Sequence, residues 1–300
     1  MADFSSLSGL LLLDKPEGIT SQGAVSRIRR LLGVKTAGHT GTLDPMATGV
    51  LPILVGRAVK ASEFLLEGDK HYDACLRLGL TSDTEDITGE ILSQSDCLPN
   101  EAEVFACAAT FLGEGLQIPP MYSAIRVGGR RLMELARQGV TVEREARPIR
   151  VDRLDVQKLS DSDYLLSVSC SKGTYIRTLC ADIGTKLGCG GVMASLRRTK
   201  AASFSIEKCY TLEKLESMTQ EERLACLIPT ENLFSNAPKL TLPAFYARLA
   251  HNGQEIYLAK IKKDFPLGAH VRLYDENGFF ALGEVRDFEN GLAVKPIKQF

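Results

Sequence analysis

The chain has no tryptophan, no CxxC pair, no HxxxH and no apolar run near the roughly 20 residues that a helix needs to cross a bilayer. Near the N-terminus the only apolar stretch is Leu10 to Leu13, and acidic Asp3 stands where a signal peptide would be basic, so a cytoplasmic protein with no membrane association is expected. The eight cysteines, at 75, 97, 107, 170, 180, 189, 209 and 226, and four histidines, at 39, 71, 251 and 270, fall at no metal-ligand spacing. They read as reduced, mostly buried thiols and isolated imidazoles, and neither a metal site nor a cofactor is expected. What is present is ordinary for a globular chain: 44% hydrophobic and 24% charged residues. That balance excludes disordered, collagen-like and coiled-coil chains. A chain of 300 residues can bury roughly 75% of its unfolded surface and needs no disulfide or metal to hold it.

An excess of charge is also lacking, since the formal net charge is −1. The charges are nevertheless segregated. From Lys15 to Lys60, seven Lys and Arg face only Glu17 and Asp44; from Arg126 to Arg153, eight Arg face four acids; from Thr81 to Glu114 there are eight acids and no Lys or Arg. Such a distribution permits one basic face on a neutral protein, the electrostatic footprint of a polyanion site. It also describes ordinary solvated surface.

Residues 9–14 (GLLLLD) read as a buried strand, followed by a helix capped by Thr20 or Ser21 with Val25, Ile28 and Leu32 on one face and Gly33 at its end. Residues 70–80 alternate, with Tyr72, Ala74, Leu76, Leu78 and Leu80 on one face of a strand. Asn100 can cap a helix that buries Val104, Cys107, Ala108 and Phe111. A second strand over 163–170, a helix over 175–187 and a helical stretch over 211–227 follow. The tail carries short strands joined by the turns ENG and FENG. The pattern predicts an α+β fold: a mixed, largely antiparallel sheet with flanking helices over 1–237, an arginine-rich insertion at about 120–150, and a small C-terminal β-domain over 238–300.

The densest motif is Gly38-His39-Thr40-Gly41-Thr42-Leu43-Asp44-Pro45-Met46-Ala47-Thr48-Gly49. Its glycines allow close backbone approach to a ligand, and its Asp-Pro step can project a carboxylate from a turn. No Gly-Lys-Ser/Thr closes it, so it is not a phosphate-binding Walker loop, and it is not GxGxxG. Lacking a second nearby carboxylate, it does not suggest a two-acid glycosidase. Composition alone favours a tight surface turn with Asp44 as an N-cap.

The stretch GHTGTLDPMATGVLP closely resembles the signature loop of the TruB-type pseudouridine synthases, the family of bacterial tRNA pseudouridine-55 synthases. Four further stretches resemble that family in order and approximate spacing: LLLDKPEGITS (11–21), KHYDACLRLG (70–79), QIPPMYSAIRVGGRRLMELAR (117–137), and CSKGTYIRTLCADIG (170–184) followed by LRRTK (196–200). The likeness covers residues 9 to 232, and the tail is similar to the PUA-like RNA-binding domain of such enzymes. It implies an isomerase that flips uridine 55 out of the tRNA T loop and moves the glycosidic bond from N1–C1′ to C5–C1′, with Asp44 as nucleophile at the sugar or the base, or as base in a glycal route. It further implies Arg177 as the partner of Asp44, and Tyr72 as a stacking ring whose hydroxyl serves proton transfer at C5.

His39, Tyr175 and Leu196 would complete the base contacts. Arg126, Arg130, Arg131, Lys172, Arg197 and Arg198 would grip RNA, while Lys15, Pro16, Gly38 and Gly41 would support the loop. The T arm of tRNA is then the partner, no protein partner is required, and a monomer is expected. A non-catalytic RNA chaperone on the same fold, or a sibling synthase acting on another RNA, stands as the alternative.

Overall fold

A computed structural model describes residues 7–65 and 68–300; Asp3 and the rest of the first six residues lie outside them. The GLLLLDK segment forms strand β1 (Gly9–Lys15), whose lack of alternation follows from burial on both faces. Leu11 and Leu13 enter the main core, whereas Leu10 and Leu12 pack with Leu54 and Ala58 in a second cluster. Helix α1 (Ser21–Leu32) starts at Thr20, whose side chain accepts the Gly23 N–H, and stops at left-handed Gly33.

Next come β2 (Ala37–His39), β3 (Thr48–Val55) and β4 (Lys70–Leu78). In β4 the alternation is real: Tyr72, Ala74, Leu76 and Leu78 are buried, while Asp73 and Arg77 on the other face pair with Ser167 (2.8 Å) and Asp163 (2.7 Å) of the neighbouring strand. Leu80 departs from the expectation. The chain turns at Gly79 (φ +86°), and Leu80 joins a separate hairpin with residues 91–94.

The main sheet is completed by β5 (Gly113–Gln117), β6 (Arg147–Lys158), β7 (Asp163–Cys170) and β8 (Gly191–Ala201). Its order is β1-β3-β8-β4-β7-β6-β5, with Tyr210–Thr211 outside β1. Neighbours are antiparallel except at β3–β8 and at the Tyr210 edge, so the sheet is mixed and largely antiparallel. Helices α1, α2 (Glu101–Ala109) and α3 (Ile176–Leu187) cover one face with the core between. Asn100 closes a reciprocal capping box with Glu103 on α2.

The arginine-rich stretch at about 120–150, which the resemblance makes an RNA-gripping insertion, runs at its end into the main sheet, where Arg147 lies in β6. Two of the arginines counted with it are paired with acids: Arg150 bonds Asp152 (2.7 Å) and Asp69 (3.2 Å), and Arg153 pairs with Asp155.

A second, five-stranded sheet takes residues 239–299, in the order 239–241, 270–275, 278–288, 291–299, 256–257, around its own core of Leu240, Val271, Leu273, Val285 and Val294. ENG and FENG form the two hairpin turns. The helix Ala244–His251, which buries Ala247 and Ala250 there, was not foreseen among the expected short strands. No helix of the described residues is long and apolar enough to cross a membrane.

Candidate active site

The signature loop hangs between β2 and β3, and two side chains and one main-chain N–H before it hold it in place. Lys15 is fully buried; its Nζ donates to the carbonyls of Pro16 (2.9 Å), Ile19 (2.8 Å) and Pro45 (3.2 Å). Burial pulls this ammonium down to about 8, against the opposing pull of Asp44, so it remains mostly charged at pH 7. Ser21 Oγ donates to Leu43 O (2.9 Å) and accepts the Leu43 N–H (2.8 Å), and the Gly18 N–H donates to Pro45 O (2.8 Å). Asp44 itself opens a turn in which its carbonyl accepts the Ala47 N–H at 3.1 Å. The main chain therefore satisfies the turn and leaves the carboxylate free for another partner.

That partner is Arg177, in the first turn of α3. Its Nε stands 2.9 Å from Asp44 Oδ2. Nη1 donates to Thr84 O and Nη2 to Tyr122 O, both at 2.9 Å, and Asp86 Oδ2 lies 3.8 Å from Nη1. The two carboxylates beside this guanidinium differ. The Asp86 side chain is 7% exposed and its Oδ1 accepts from Thr84 Oγ1, the Thr88 N–H and Thr88 Oγ1, whereas the Asp44 side chain is 36% exposed. Asp86 is a braced counter-ion; Asp44 is the one that faces solvent. Nothing in the sequence marks Asp86 and Glu85 out of the acidic run from 81 to 114, and Tyr122 is marked only by lying in the 117–137 motif. Glu85 in fact turns inward at φ +64°, bonds Thr178 Oγ1 at 2.5 Å, and is pushed up by burial.

Asp44 opens onto a cleft of about 760 Å³, within the range of small-ligand sites. Tyr72, Tyr175, Leu196 and Arg177 line it, together with Lys70, Arg147 and Lys172. Tyr175 is fixed by the buried Gln117, which receives its N–H (2.8 Å) and donates to its carbonyl (3.0 Å). Gln117 was quoted in a motif but given no role. Tyr72 is buried, which pushes its phenol up, while the nearby Arg198 opposes that shift. The insertion closes one side with Tyr122, Ser123, Ile125 and Met133.

His39 is placed differently from the expectation. It sits in β2 opposite Ile53, is not among the residues lining the cleft, and has a buried Nδ1 with no hydrogen-bond partner among the described residues. Burial first, and Arg198 second, pull its imidazole down, so it is neutral. Arg198 is a second correction. Only 1% exposed, it sends Nε to Val50 O (2.8 Å) and Nη2 to Gly41 O (3.1 Å), so it braces the cleft from inside and offers no surface grip. Arg197 is bound to Asp14 through both Nη atoms (2.8 and 3.2 Å) and is partly neutralised there. Arg126, Arg130 and Arg131 are exposed on a two-stranded hairpin turned by Gly128 (φ +58°) and Gly129 (φ +83°).

Among the supporting glycines, Gly38 has ordinary backbone, and a Cβ there would meet Val59 only at contact distance, so its identity is not forced. Gly41 (φ +118°) and Gly49 (φ +103°) are the demanding ones, and at Gly49 a Cβ would stand 2.2 Å from the Arg198 carbonyl oxygen. Gly49→Ala should therefore cost about 2–4 kcal/mol, read as a lower urea midpoint. A midpoint equal to wild type would show that β3 and β8 can separate freely.

The comparisons with known proteins agree with this geometry. The profile of the TruB family pseudouridylate synthase (N terminal domain) matches residues 29–176, and that of the tRNA pseudouridylate synthase B C-terminal domain matches 177–235. The protein called tRNA pseudouridine synthase B in Alkaliphilus oremlandii is 43% identical over 94% of each chain, and that of Burkholderia pseudomallei 45% identical over 96% of each. Among solved structures, a Cbf5-Nop10-Gar1 complex contains a chain that superposes with a TM-score of 0.69 at 26% identity, over 99% of this chain and 86% of that one. A loop that presents one open carboxylate to a buried arginine, and a likeness running along nearly the whole chain, lead to one assignment: the protein belongs to the TruB family of pseudouridylate synthases.

Proposed function

We propose that the protein isomerises a uridine of tRNA to pseudouridine, and that its target is uridine 55 in the T loop. The observation that supports this most directly is the Asp44–Arg177 pair: an accessible carboxylate held 2.9 Å from a 7%-exposed guanidinium at the wall of a nucleoside-sized cleft. Arg177 holds the Asp44 carboxylate through its Nε and aims it. The carboxylate then attacks C1′ or the base, or removes a sugar proton in a glycal route; the uracil turns and C5 joins C1′. Tyr72 and Tyr175 offer rings to hold the base and Leu196 an apolar wall, while no redox or phosphate chemistry is required. A base in a folded loop must first be flipped out, at a cost of a few kcal/mol.

In this proposal residues 1–237 form the catalytic domain, the insertion at about 120–150 and the PUA-like sheet over 238–300 hold the RNA, and the enzyme acts as a cytoplasmic monomer without cofactor or metal. Structural likeness to a chain found in a complex favours one rival, a sibling synthase that acts on another RNA with partner proteins. The test is tritium release from a T-arm stem-loop labelled at uridine C5. Release by the purified chain alone is expected, with none from a stem-loop whose target uridine is replaced by cytidine. Release that requires an added protein or guide RNA would favour the rival.

The basic hairpin gives a second expected outcome. If Arg126, Arg130 and Arg131 meet phosphates, binding weakens linearly in log salt, and replacing Arg130 and Arg131 with Ala lowers that slope by about 0.7–0.9 per lost contact. Filter binding across a salt series reads it. An unchanged slope would take the hairpin out of the interface.

A further inference from the structure

Arg198 carries more than the support of the loop. Its backbone stands opposite Tyr72 of β4 on one side and Gly49 of β3 on the other. Its guanidinium is held by Val50 O and Gly41 O, and it lines the cleft together with Tyr72, its cross-strand partner. Among the described residues no carboxylate forms an ion pair with it, and a guanidinium buried to 1% without a counter-ion is costly. Bracing two carbonyls needs donors, which a neutral amide would supply. A permanent positive charge behind the tyrosine is explained when negative charge forms in front of it.

Resting on the assignment of Tyr72 to the base pocket, we propose that Arg198 is a positioning residue for Tyr72: it aims the phenol oxygen into the cleft and holds the negative charge that oxygen carries when it removes the proton from C5. The step balances with water. Tyr72 loses its hydroxyl proton to solvent and becomes a phenolate. Once C5 has joined C1′, the phenolate takes the C5 proton, and the C5–H electron pair becomes the C5–C6 double bond. The former C6–N1 double-bond pair settles on N1, which takes a proton back from water. The charged and titratable groups around the phenol are Arg198 from β8, Cys170 from β7 and Asp44 from the signature loop, with Lys70, Lys172 and Arg177 elsewhere on the cleft wall. Of these, Arg198 is the cation that stands directly across the strands from Tyr72, and among the described residues no ion pair to an acid is formed by it. Asp44 and a deprotonated Cys170 would oppose a phenolate, and burial pushes the Cys170 thiol up to about 11, so it stays neutral.

The experiment is single-turnover tritium release from C5 with saturating enzyme, from about pH 6 to pH 10, a span that reaches the ordinary tyrosine range. In Arg198→Gln the alkaline rise in rate should move up by about one to three pH units, as expected on removing an adjacent opposite charge. Arg198→Lys, which keeps the charge and misses part of the geometry, should move it in the same direction by less, and serves if the glutamine variant does not fold. Arg198→Gln added to Tyr72→Phe should slow release no further than Tyr72→Phe alone. A rate lowered at every pH with the rise unmoved, or losses that add in the double variant, would make Arg198 merely structural and overturn the proposal. Wild-type release from Tyr72→Phe would instead overturn the assignment of Tyr72, and this inference with it.

Discussion

Asp44→Asn should abolish pseudouridine formation, a loss on the order of 10⁵-fold or more, while RNA binding stays near wild type. The substitution keeps the shape of the side chain and leaves the turn intact, because the turn uses the Asp44 carbonyl to accept the Ala47 N–H. What goes is the negative charge beside Arg177 and the lone pair that attacks. Affinity for RNA rests chiefly on phosphate contacts, and Asp44 supplies none. Single-turnover kinetics and filter binding on one preparation separate the two effects. Substantial turnover in Asp44→Asn would remove this residue from the chemistry and move attention to Asp86, the other carboxylate at Arg177.

Arg177→Ala should be nearly as damaging, lowering turnover about a thousandfold, for a reason that Asp44→Asn does not share. This one side chain joins three segments: the signature loop through Asp44, the acidic loop through Thr84 O and Asp86, and the insertion through Tyr122 O. Its loss leaves Asp86 buried without its cation and two carbonyls without donors. Breaking a buried pair of this kind costs about 3–5 kcal/mol of stability, so the variant should unfold earlier in urea as well as react slowly. Arg177→Lys keeps the charge, yet one ammonium cannot span partners on three sides, so it should recover stability better than rate. Full activity in Arg177→Lys would mean that charge alone suffices and that the planar fork is dispensable.

Much of the framework was legible because it is local. Thr20 and Asn100 announced helix starts, the ENG and FENG turns announced hairpins, and the Tyr72–Leu78 alternation announced a half-buried strand. The parallel contact of β3 with β8 joins residues about 150 positions apart and leaves no local mark. The same contact makes Gly49 obligatory and sinks Arg198, so an arginine within LRRTK that looks like surface is interior, while its neighbour Arg197 reaches Asp14 near the protein surface. Similarly, nothing in the acidic run from 81 to 114 distinguishes Asp86 from Asp96. Only the fold shows that Asp86 lies under Arg177. The glycines and Asp-Pro step of the signature loop left Asp44 open to a plain turn, and the resemblance of that loop to the family's is what singled it out; the same resemblance singled out His39, which is not among the residues lining the cleft. Motif density locates a site well and assigns its members poorly, because main-chain support and chemistry draw on the same residue types.

The central claim is that Asp44, aimed by Arg177, acts on one uridine of the T loop. It is tested most directly by mapping pseudouridine with a carbodiimide and reverse transcription, on an unmodified tRNA transcript incubated with the purified chain. A single stop at position 55 with wild type, and none with Asp44→Asn, is the expected result. Stops elsewhere in the transcript, no stop at all, or an equal stop with Asp44→Asn would contradict it.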